Sequence, residues 1–152
     1  VKGVYDWGRV AGGRLSTPFS YGKTRGSNRD NGQPLNSIEP AQLALGVQYD
    51  TAPWSLRLDA RHHGAKRASD IDNASAVKAP NTQFTIGSAS TLDLSMQWRM
   101  RKDLRLNFAL NNLTDRKYWL WSDVQGVAAS SNANDAYTQP GRSAQVSLVM
   151  DF

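Results

Sequence analysis

The stretch that most constrains the fold is residues 143–152, which read SAQVSLVMDF. Every second position there carries an apolar side chain, whereas most of the others are polar. The apolar positions are Ala144, Val146, Leu148, Met150 and Phe152. Because successive side chains of a β-strand point to opposite faces, this period of two predicts a strand with one apolar and one polar face.

The last position of this strand, Phe152, is a large aromatic residue at a charged terminus. Such an ending is unusual for a soluble domain but is typical of a membrane barrel, whose outward apolar strand faces carry aromatic residues at the interface. We therefore expect Leu148, Met150 and Phe152 to form an assembly signal on the outward face of a closing strand.

Six further stretches alternate in the same way, and clusters of Gly, Pro, Asn, Asp and Ser separate them. The alternation is clearest in residues 43–50, 54–63, 91–100 and 104–111. Pro18 weakens the prediction for the second strand, because proline cannot donate a ladder hydrogen bond. The alternation slips at 111–113, which indicates a bulge.

The connections between these strands alternate between short and long. Tight turns are predicted near residues 11–13, 51–53 and 102–103, and long polar loops at 25–40, 64–90 and 118–141. Outer-membrane barrels have short periplasmic turns and long extracellular loops, whereas a soluble sandwich has no reason for this asymmetry. The strands also have the length of about 9–11 residues that crosses a bilayer when tilted.

The polar faces of the predicted strands are too charged for a small soluble core, because buried unpaired charges are costly. They carry Arg57, Asp59, Arg61, Asp93, Gln97, Arg99, Arg105 and Asn107. A wide barrel lumen can hydrate or pair such groups. Aromatic residues near strand ends are predicted to form interfacial girdles, namely Tyr49, Trp54, Trp98, Tyr118, Trp119 and Trp121. The sequence therefore predicts an all-β, antiparallel transmembrane β-barrel segment of about seven strands.

An odd number of strands does not close a usual bacterial single-chain barrel. Together with a start at Val1 that lacks an initiator methionine or a signal peptide, this predicts a C-terminal piece of a larger barrel. Both edges of the predicted sheet would then pair with strands that lie outside this chain.

Composition excludes several classes of function. The apolar fraction is 39%, and no apolar run approaches the roughly 18 residues that a transmembrane helix needs. The absence of cysteine excludes disulfide scaffolds and thiolate metal sites. The net charge of +5 is scattered, so we expect no nucleic-acid partner. The chain also lacks a nucleophile–base arrangement, a phosphate-binding glycine loop and paired acid/base carboxylates, so we expect no enzyme and no catalytic residue.

Few residues suggest a binding site. Strand alternation sends His62 outward and His63 inward, so the pair cannot clamp one metal ion. His63 is a candidate heme ligand because neutral imidazole binds iron, and a solvated residue at the strand end is the alternative. Asp70, Asp72 and Asn73 lack the glycine and late glutamate of a calcium loop, so we expect no metal site.

Four basic residues are predicted to lie near the outer edge of the barrel, where phosphates of lipopolysaccharide would attract them. These are Lys66, Arg67, Arg116 and Lys117. Ordinary solvated charge is the alternative for each of them.

Three segments resemble TonB-dependent outer-membrane receptors, and among these most closely the heme and hemoglobin receptors. They are NLTDRKYWLWSDVQG at 112–126, YTQPGR at 137–142 and QPLNSIEP at 33–40. The residues that carry the motif are Asn112, Leu113, Thr114, Asp115, Tyr118, Trp119, Trp121, Tyr137, Gln139, Pro140, Gly141 and Arg142.

The resemblance implies a barrel of about 22 strands with an N-terminal plug, energised by a periplasmic TonB system that contacts a part outside this chain. Residues 1–152 would then be the C-terminal portion of the barrel domain, with strands near 1–10, 14–23, 41–50, 54–63, 90–100, 104–116 and 142–152. The family's heme-ligating histidine would also lie outside this chain.

The function implied is transport of heme, free or from hemoglobin, across the bacterial outer membrane. Heme would be the cargo, with no covalently bound cofactor. Outer-membrane lipid, lipopolysaccharide and the barrel assembly machinery would be further partners. Two alternatives stay open: a receptor for a ferric siderophore or another iron chelate, and a stand-alone β-rich binding or adhesin domain.

Overall fold

The fold is a single antiparallel sheet of seven strands, as seen in a computed structural model that describes residues 1–76 and 82–151. The strands are β1 (Lys2–Val10), β2 (Gly13–Gly22), β3 (Gln42–Asp50), β4 (Trp54–His63), β5 (Ala89–Arg101), β6 (Leu104–Asn111) and β7 (Ser143–Met150). Each strand pairs with the next one along the chain. The predicted all-β antiparallel fold is therefore confirmed, whereas the predicted role of Phe152 falls on a residue outside the described ones.

In residues 1–76 and 82–151, helical structure is confined to short segments in the loops. These are α1 (Asn73–Ala76), α2 (Trp121–Val124) and the 3-10 turns Ala68–Asp70 and Asn134–Tyr137. Within the described ranges, no helix has the length and apolar character needed to span a membrane.

The predicted strand 104–116 is too long, because β6 ends at Asn111. Asn112 adopts a positive φ of 50°, which leaves the extended conformation, and the ladder to β7 stops at the pair Asn111–Ser143. The slip in alternation at this point is thus the end of a strand and not a bulge. The bulges lie elsewhere, between Asp6 and Gly8 and between Arg99 and Arg101.

Pairing register aligns the apolar positions of successive strands into rows. One row crosses five strands through Tyr49, Leu56, Met96, Phe108 and Val146. We call the side of the sheet that carries these rows the apolar face. It is uncovered, since Leu45 is 51% exposed and Val146 is 67% exposed. A large exposed apolar surface of this kind marks a face that contacts lipid or another protein.

The opposite side, here called the polar face, pairs several of its charges with one another. The Nε atom of Arg57 lies 2.7 Å from a carboxylate oxygen of Asp59, and the Nη2 atom of Arg105 lies 3.1 Å from a carboxylate oxygen of Asp151. Amides extend the network across three strands, because Gln97 donates to Asn107 at 3.1 Å and Asn107 donates to Ser147 at 3.2 Å. These contacts agree with the predicted pairing of charges on the inward side.

Pro18 lies inside β2, and the neighbouring strand accommodates it. The β2–β3 register passes from Ser16–Gln48 to Phe19–Leu45, so Pro18 is skipped where it could not donate. The glycine of this region, Gly46, is required because a Cβ there would lie 3.0 Å from Pro18 Cγ and 2.7 Å from Asp59 Oδ1.

The β1–β2 turn consists of Ala11 and Gly12, both with positive φ, which is the geometry of a tight two-residue hairpin. Tyr49 covers this turn, and its hydroxyl donates to the carbonyl oxygens of Val10 at 3.0 Å and Ala11 at 2.9 Å. The Tyr49 ring leaves no room beside the turn, since a Cβ at Gly13 would lie 2.5 Å from ring atom Cζ and 2.7 Å from the carbonyl oxygen of Asp50.

We predict that Gly13→Ala destabilises the sheet by about 1–3 kcal/mol, because the added methyl group overpacks a site bounded by backbone. The measurement is the fraction of full-length protein in membranes that resists unfolding by SDS without heating. Gly87→Ala is the matched control, because its Cβ would meet no atom within 4 Å. Equal resistance of the two variants would contradict this packing argument.

Candidate functional site: a cap formed by three loops

The three long loops pack together at one end of the sheet. Loop 1 is residues 23–41, loop 2 is 64–88 (described at 64–76 and 82–88) and loop 3 is 112–142. Together we call them the loop cap. The buried hydrophobic cluster of the described residues lies here and consists of Ile71, Ile86, Trp121 and Val124. The chain therefore builds its core in its loops and leaves its sheet faces open.

Trp121 joins all three loops. Its side chain is 1% exposed, and its indole N–H donates to the carbonyl oxygen of Asn36 in loop 1 at 2.6 Å. Lys66 of loop 2 places its ammonium nitrogen 4.9 Å from the centre of the Trp121 ring. The same ammonium donates to the carbonyl oxygen of Ile38 at 2.7 Å. Trp121 thus makes one hydrogen bond and one cation–π contact, and the lysine of that contact makes a second hydrogen bond to loop 1.

Backbone and amide contacts reinforce this association. Loops 2 and 3 pair through two backbone hydrogen bonds. The Phe84 N–H donates to the Val127 carbonyl oxygen at 2.8 Å, and the Ala129 N–H donates to the Thr82 carbonyl oxygen at 2.8 Å. Loops 1 and 2 pair through the Asn36 amide, which donates to the Asp72 carbonyl oxygen at 2.9 Å and accepts from the Asp72 N–H at 2.8 Å. The cap is therefore a hydrogen-bonded unit.

The start of loop 3 is held by the side chain of Asn112, which is 4% exposed. Its amide nitrogen donates to the carbonyl oxygens of Arg116 at 2.9 Å and Pro140 at 3.2 Å, and its oxygen accepts the Arg116 N–H at 2.9 Å. Its backbone N–H donates to the carboxylate of Asp93 on β5 at 2.8 Å. Asparagine tolerates the positive φ that this arrangement needs.

The two ends of loop 3 are joined directly. The Asp115 carboxylate accepts the backbone N–H of Arg142 at 2.8 Å. Gly141 is needed beside it, because a Cβ there would lie 2.8 Å from Asp115 Oδ1. Gln139 adds a hydrogen bond from its backbone to the Tyr118 carbonyl oxygen at 2.9 Å. The motif segments 112–118 and 139–142 thus contact each other and fix the base of the loop.

The two histidines lie on opposite faces of β4. His62 is on the apolar face, where its Nδ1 is 2.8 Å from the Ser90 hydroxyl. His63 is on the polar face and stacks on Tyr118, with ring centres 5.5 Å apart and an angle of 24° between the planes. Its Nδ1 is enclosed without a hydrogen-bond partner.

A histidine that ligates a metal usually donates its other ring N–H to an oxygen acceptor, which fixes the ring. His63 lacks such an acceptor at Nδ1, so its surroundings fit an aromatic contact better than a preorganised iron ligand. Its role toward heme stays a prediction.

The structure separates the aromatic residues that were predicted to form girdles. Trp54 lies opposite Trp98 in the ladder, and its ring centre is 5.7 Å from that of Tyr49. These three residues therefore lie together at the end of the sheet that carries the short turns. Trp121 is buried in the cap. Trp119 also lies in the cap, where its ring packs against that of Phe84 with ring centres 5.5 Å apart. The girdle interpretation is wrong for loop 3, because its aromatic side chains pack against other loops and against β4.

Two of the four basic residues predicted to contact lipopolysaccharide, Lys66 and Lys117, instead contact other groups of the cap. Lys66 is only 4% exposed and engages Ile38 and Trp121, so that prediction is wrong for this residue. Lys117 pairs with Asp135 at 2.9 Å. Sequence reasoning missed the burial of Lys66 because a lysine between turn residues carries no signal of its environment.

Asp70 and Asn73 accept hydrogen bonds from backbone N–H groups of loop 2. The Asp70 carboxylate accepts the Arg67 N–H at 3.0 Å, and the Asn73 amide oxygen accepts the Gln83 N–H at 2.8 Å. Among the residues that the structure describes, no group of three or more His, Cys, Asp or Glu side chains converges.

A partly buried pair of opposite charges lies between loops 1 and 2. Burial raises the pKa of the Glu39 carboxyl above its ordinary value, and Asp123 acts in the same direction, whereas Lys66 opposes the shift. Burial lowers the pKa of the Lys66 ammonium, which the nearby Asp70 and Glu39 oppose. Both charges are therefore less favourable in the closed cap than in water.

Comparison with known proteins gives a family match over most of the sheet. Residues 2–113 match the family model described as TonB dependent receptor-like, beta-barrel. The heme/hemopexin utilization protein C of Haemophilus influenzae is 32% identical over 128 residues, or 82% of this chain. A probable hemoglobin and hemoglobin-haptoglobin-binding protein of the same organism is 26% identical over the whole chain. The chain spans 17% of the length of each of these relatives.

Solved structures share the fold at low sequence identity. The copper transporter OprC superposes on 98% of this chain with a TM-score of 0.78 at 20% identity, using 21% of its own length. The ferric enterobactin receptor of Pseudomonas aeruginosa superposes on 99% of this chain with a TM-score of 0.68 at 21% identity, using 22% of its own length.

We predict that Trp121→Ala separates the loops of the cap, because it removes a buried side chain that three loops share. The cost should be about 3–5 kcal/mol of local stability. The measurement is hydrogen exchange in loops 1 and 2 of the full-length protein, which should accelerate while exchange in the sheet stays slow. Trp98→Ala is the control, since Trp98 is exposed on the apolar face. Unchanged exchange in loop 1 would contradict the central role of Trp121.

We also predict that the cap is more stable in mild acid than at neutral pH. The folded cap binds the Glu39 proton more tightly than the open loop does, so this contribution is lost as pH rises from the ordinary value of 4.5 through the raised pKa. Glu39→Gln should stabilise the cap at pH 7 and flatten this dependence, as followed by urea unfolding of the cap. Asp30→Asn removes a carboxylate at an exposed position of the same loop and should leave the pH dependence of cap stability unchanged.

Proposed function

Because the chain belongs to the TonB-dependent receptor β-barrel family, we propose that it forms wall and extracellular loops of an outer-membrane receptor that takes up heme. The heme would be free or carried by a protein such as hemoglobin. Residues 1–152 would be the C-terminal portion of a barrel domain of about 22 strands. The TonB system would supply energy through a part of the receptor outside this chain.

The observation that carries the choice of cargo is the identity of 32% with the heme/hemopexin utilization protein over 82% of this chain. Binding proteins for hemoglobin and for hemoglobin–haptoglobin are also among the relatives. The ferric enterobactin receptors resemble this chain in fold, at 19–21% identity. Sequence similarity therefore favours heme over a siderophore.

The two faces of the sheet suit this setting. The apolar face would contact the hydrocarbon of the membrane, and the polar face with its ion pairs would line the lumen. On β7, Leu148 is 61% exposed and Met150 lies on the same face. We assign Leu148, Met150 and Phe152 the role of an outward signal for the barrel assembly machinery. A stand-alone soluble binding domain or adhesin would leave this surface unexplained.

The loop cap would present a preformed surface to the ligand on the cell exterior. Its core and its loop-to-loop hydrogen bonds hold loops 1, 2 and 3 together before any ligand arrives. Rigid loops bind with a smaller loss of conformational entropy than flexible ones. The cap would thus contribute to recognition, although the iron would be ligated by residues outside this chain.

The test is growth of cells that lack the full-length receptor and depend on a supplied iron source. We expect the deletion to abolish growth on heme or hemoglobin while growth on a ferric siderophore continues, because only the heme route is lost. The receptor gene should restore heme-dependent growth only in cells with an intact TonB system. Trp121→Ala in that gene should reduce growth on hemoglobin at a normal level of receptor in the membrane.

The opposite pattern would contradict the proposal. If the deletion strain grows normally on heme and fails on a ferric siderophore, the receptor takes up an iron chelate instead. Heme uptake that persists without TonB would contradict energised transport by this receptor.

A further inference from the structure

Loops 2 and 3 meet along a short seam that is formed by residues 82–84 and 127–129. Its two backbone hydrogen bonds, from Phe84 N–H and from Ala129 N–H, are both 2.8 Å long. Gln83 lies between them in the chain and forms an isolated antiparallel bridge with Ala128. Gln83 is therefore the central residue of the loop 2 side of this seam.

Gln83 is buried without hydrogen-bond partners for its side chain. The residue is 2% exposed, yet neither its amide nitrogen nor its amide oxygen is hydrogen-bonded. Asn134 of loop 3 has a buried amide oxygen in the same condition. Within residues 1–76 and 82–151, these two residues hold three of the four buried side-chain polar atoms that lack a partner. Because water would satisfy such groups once they were exposed, each of them weakens the closed seam.

The other contacts between loops do not have this defect. Loops 1 and 2 exchange two hydrogen bonds between the Asn36 amide and the backbone of Asp72. Loops 1 and 3 are joined by Trp121, whose indole N–H donates to the Asn36 carbonyl oxygen at 2.6 Å. The seam between loops 2 and 3 is therefore the weakest connection in an otherwise satisfied cap.

The part of loop 3 beside this seam is residues 127–134, which we call the flap. None of its residues is fully buried. It is held together internally, since Ser131 N–H donates to the Ala128 carbonyl oxygen at 3.0 Å and the Asn134 amide nitrogen donates to the Ala129 carbonyl oxygen at 3.1 Å. Both bonds persist if the flap moves as one body.

A hinge precedes the flap. Gly126 separates it from Val124, whose side chain is fully buried in the core of the cap. Gly126 has a φ of +82°, and a Cβ there would meet no atom within 4 Å. The backbone is thus unpacked at a residue with wide conformational freedom. The loop 2 side of the seam is fixed, because Gln83 N–H donates to the Asn73 amide oxygen at 2.8 Å.

We propose that the flap is a built-in opening element of the cap, which hinges at Gly126 and whose closed state is weakened by the unpartnered amide of Gln83. Opening gives water access to the amides of Gln83 and Asn134, while Trp121 continues to hold loop 3 to loop 1. Segments that admit ligands are drawn from the parts of a fold that open at low cost. In the proposed receptor the flap controls entry of heme between loops 2 and 3, and this role rests on the proposed function.

The experiment measures hydrogen exchange at Phe84 and Ala129 in the full-length receptor in detergent, because these two amides are released when the seam opens. Gln83→Met keeps a flexible side chain of similar length and removes both unpartnered atoms. Gln83→Glu keeps the shape and places a carboxylate in the seam. The matched control is Gln125→Met, the same exchange of residue types at an exposed position of loop 3.

We expect exchange at both amides to be about 10-fold slower in Gln83→Met, because the closed seam no longer keeps two polar groups from water. In Gln83→Glu it should be roughly 10-fold faster, since a buried carboxylate costs more than a buried amide. Gln125→Met should exchange as the wild type does. Exchange in Gln83→Met that equals or exceeds that of the wild type would overturn the proposal.

The amide of Asp72 reports whether the seam opens by itself, since its N–H belongs to the contact between loops 1 and 2. Its exchange should be the same in all four proteins. A change at Asp72 as large as that at Phe84 would also overturn the proposal, because the cap would then open as a whole.

Uptake of heme by cells that carry the receptor separates the role of the flap from the proposed function. Gln83→Met should slow uptake at equal levels of receptor in the membrane, because its flap opens less often. Wild-type uptake by this variant, together with slower exchange, would overturn the role of the flap in ligand entry. A wild-type receptor that takes up no heme would refute the proposed cargo alone, since the exchange measurement needs no heme.

Discussion

Cross-strand register is the constraint on which the rest of this structure depends. A period of two gives each strand two faces, but only pairing in register joins those faces into one continuous apolar surface and one continuous polar surface. The row from Tyr49 to Val146 shows this alignment across five strands. A shift of one residue would place Arg57 and Asp59 among leucines. The continuity of the apolar face follows from this register, and so does the ion pair between Arg61 on β4 and Asp93 on β5.

The open apolar face explains why the core lies in the loops. A sheet that contacts lipid on one side and a wide lumen on the other does not need to bury its strands within the chain. The loops instead bury Ile71, Ile86, Trp121 and Val124 together, which removes these apolar side chains from water. The residues of the family motif serve this arrangement, because Asn112, Asp115 and Gly141 join the two ends of loop 3 to each other and to β5.

A fixed cap and an open face together suggest how the segment contributes to uptake. The cap is formed by contacts among the three loops themselves, without any ligand. The fold alone does not select a cargo, since receptors for ferric enterobactin and a copper transporter share it. Sequence identity to the heme/hemopexin utilization protein extends over 82% of this chain.

The sequence by itself determined the seven strands, their faces and the short and long connections, because alternation and turn residues are local properties. It placed the strand ends within a few residues, except at Asn112, whose positive φ depends on acceptors at Arg116 and Pro140. Only the tertiary structure determined the environments of Lys66, Trp119 and Trp121. The sequence pattern predicted them at a membrane surface, whereas the fold places them inside the cap. Their positions depend on contacts between loops far apart in the chain, such as Trp121 with Asn36. Local pattern carries no record of such contacts, because a loop has no period that fixes which way its side chains point.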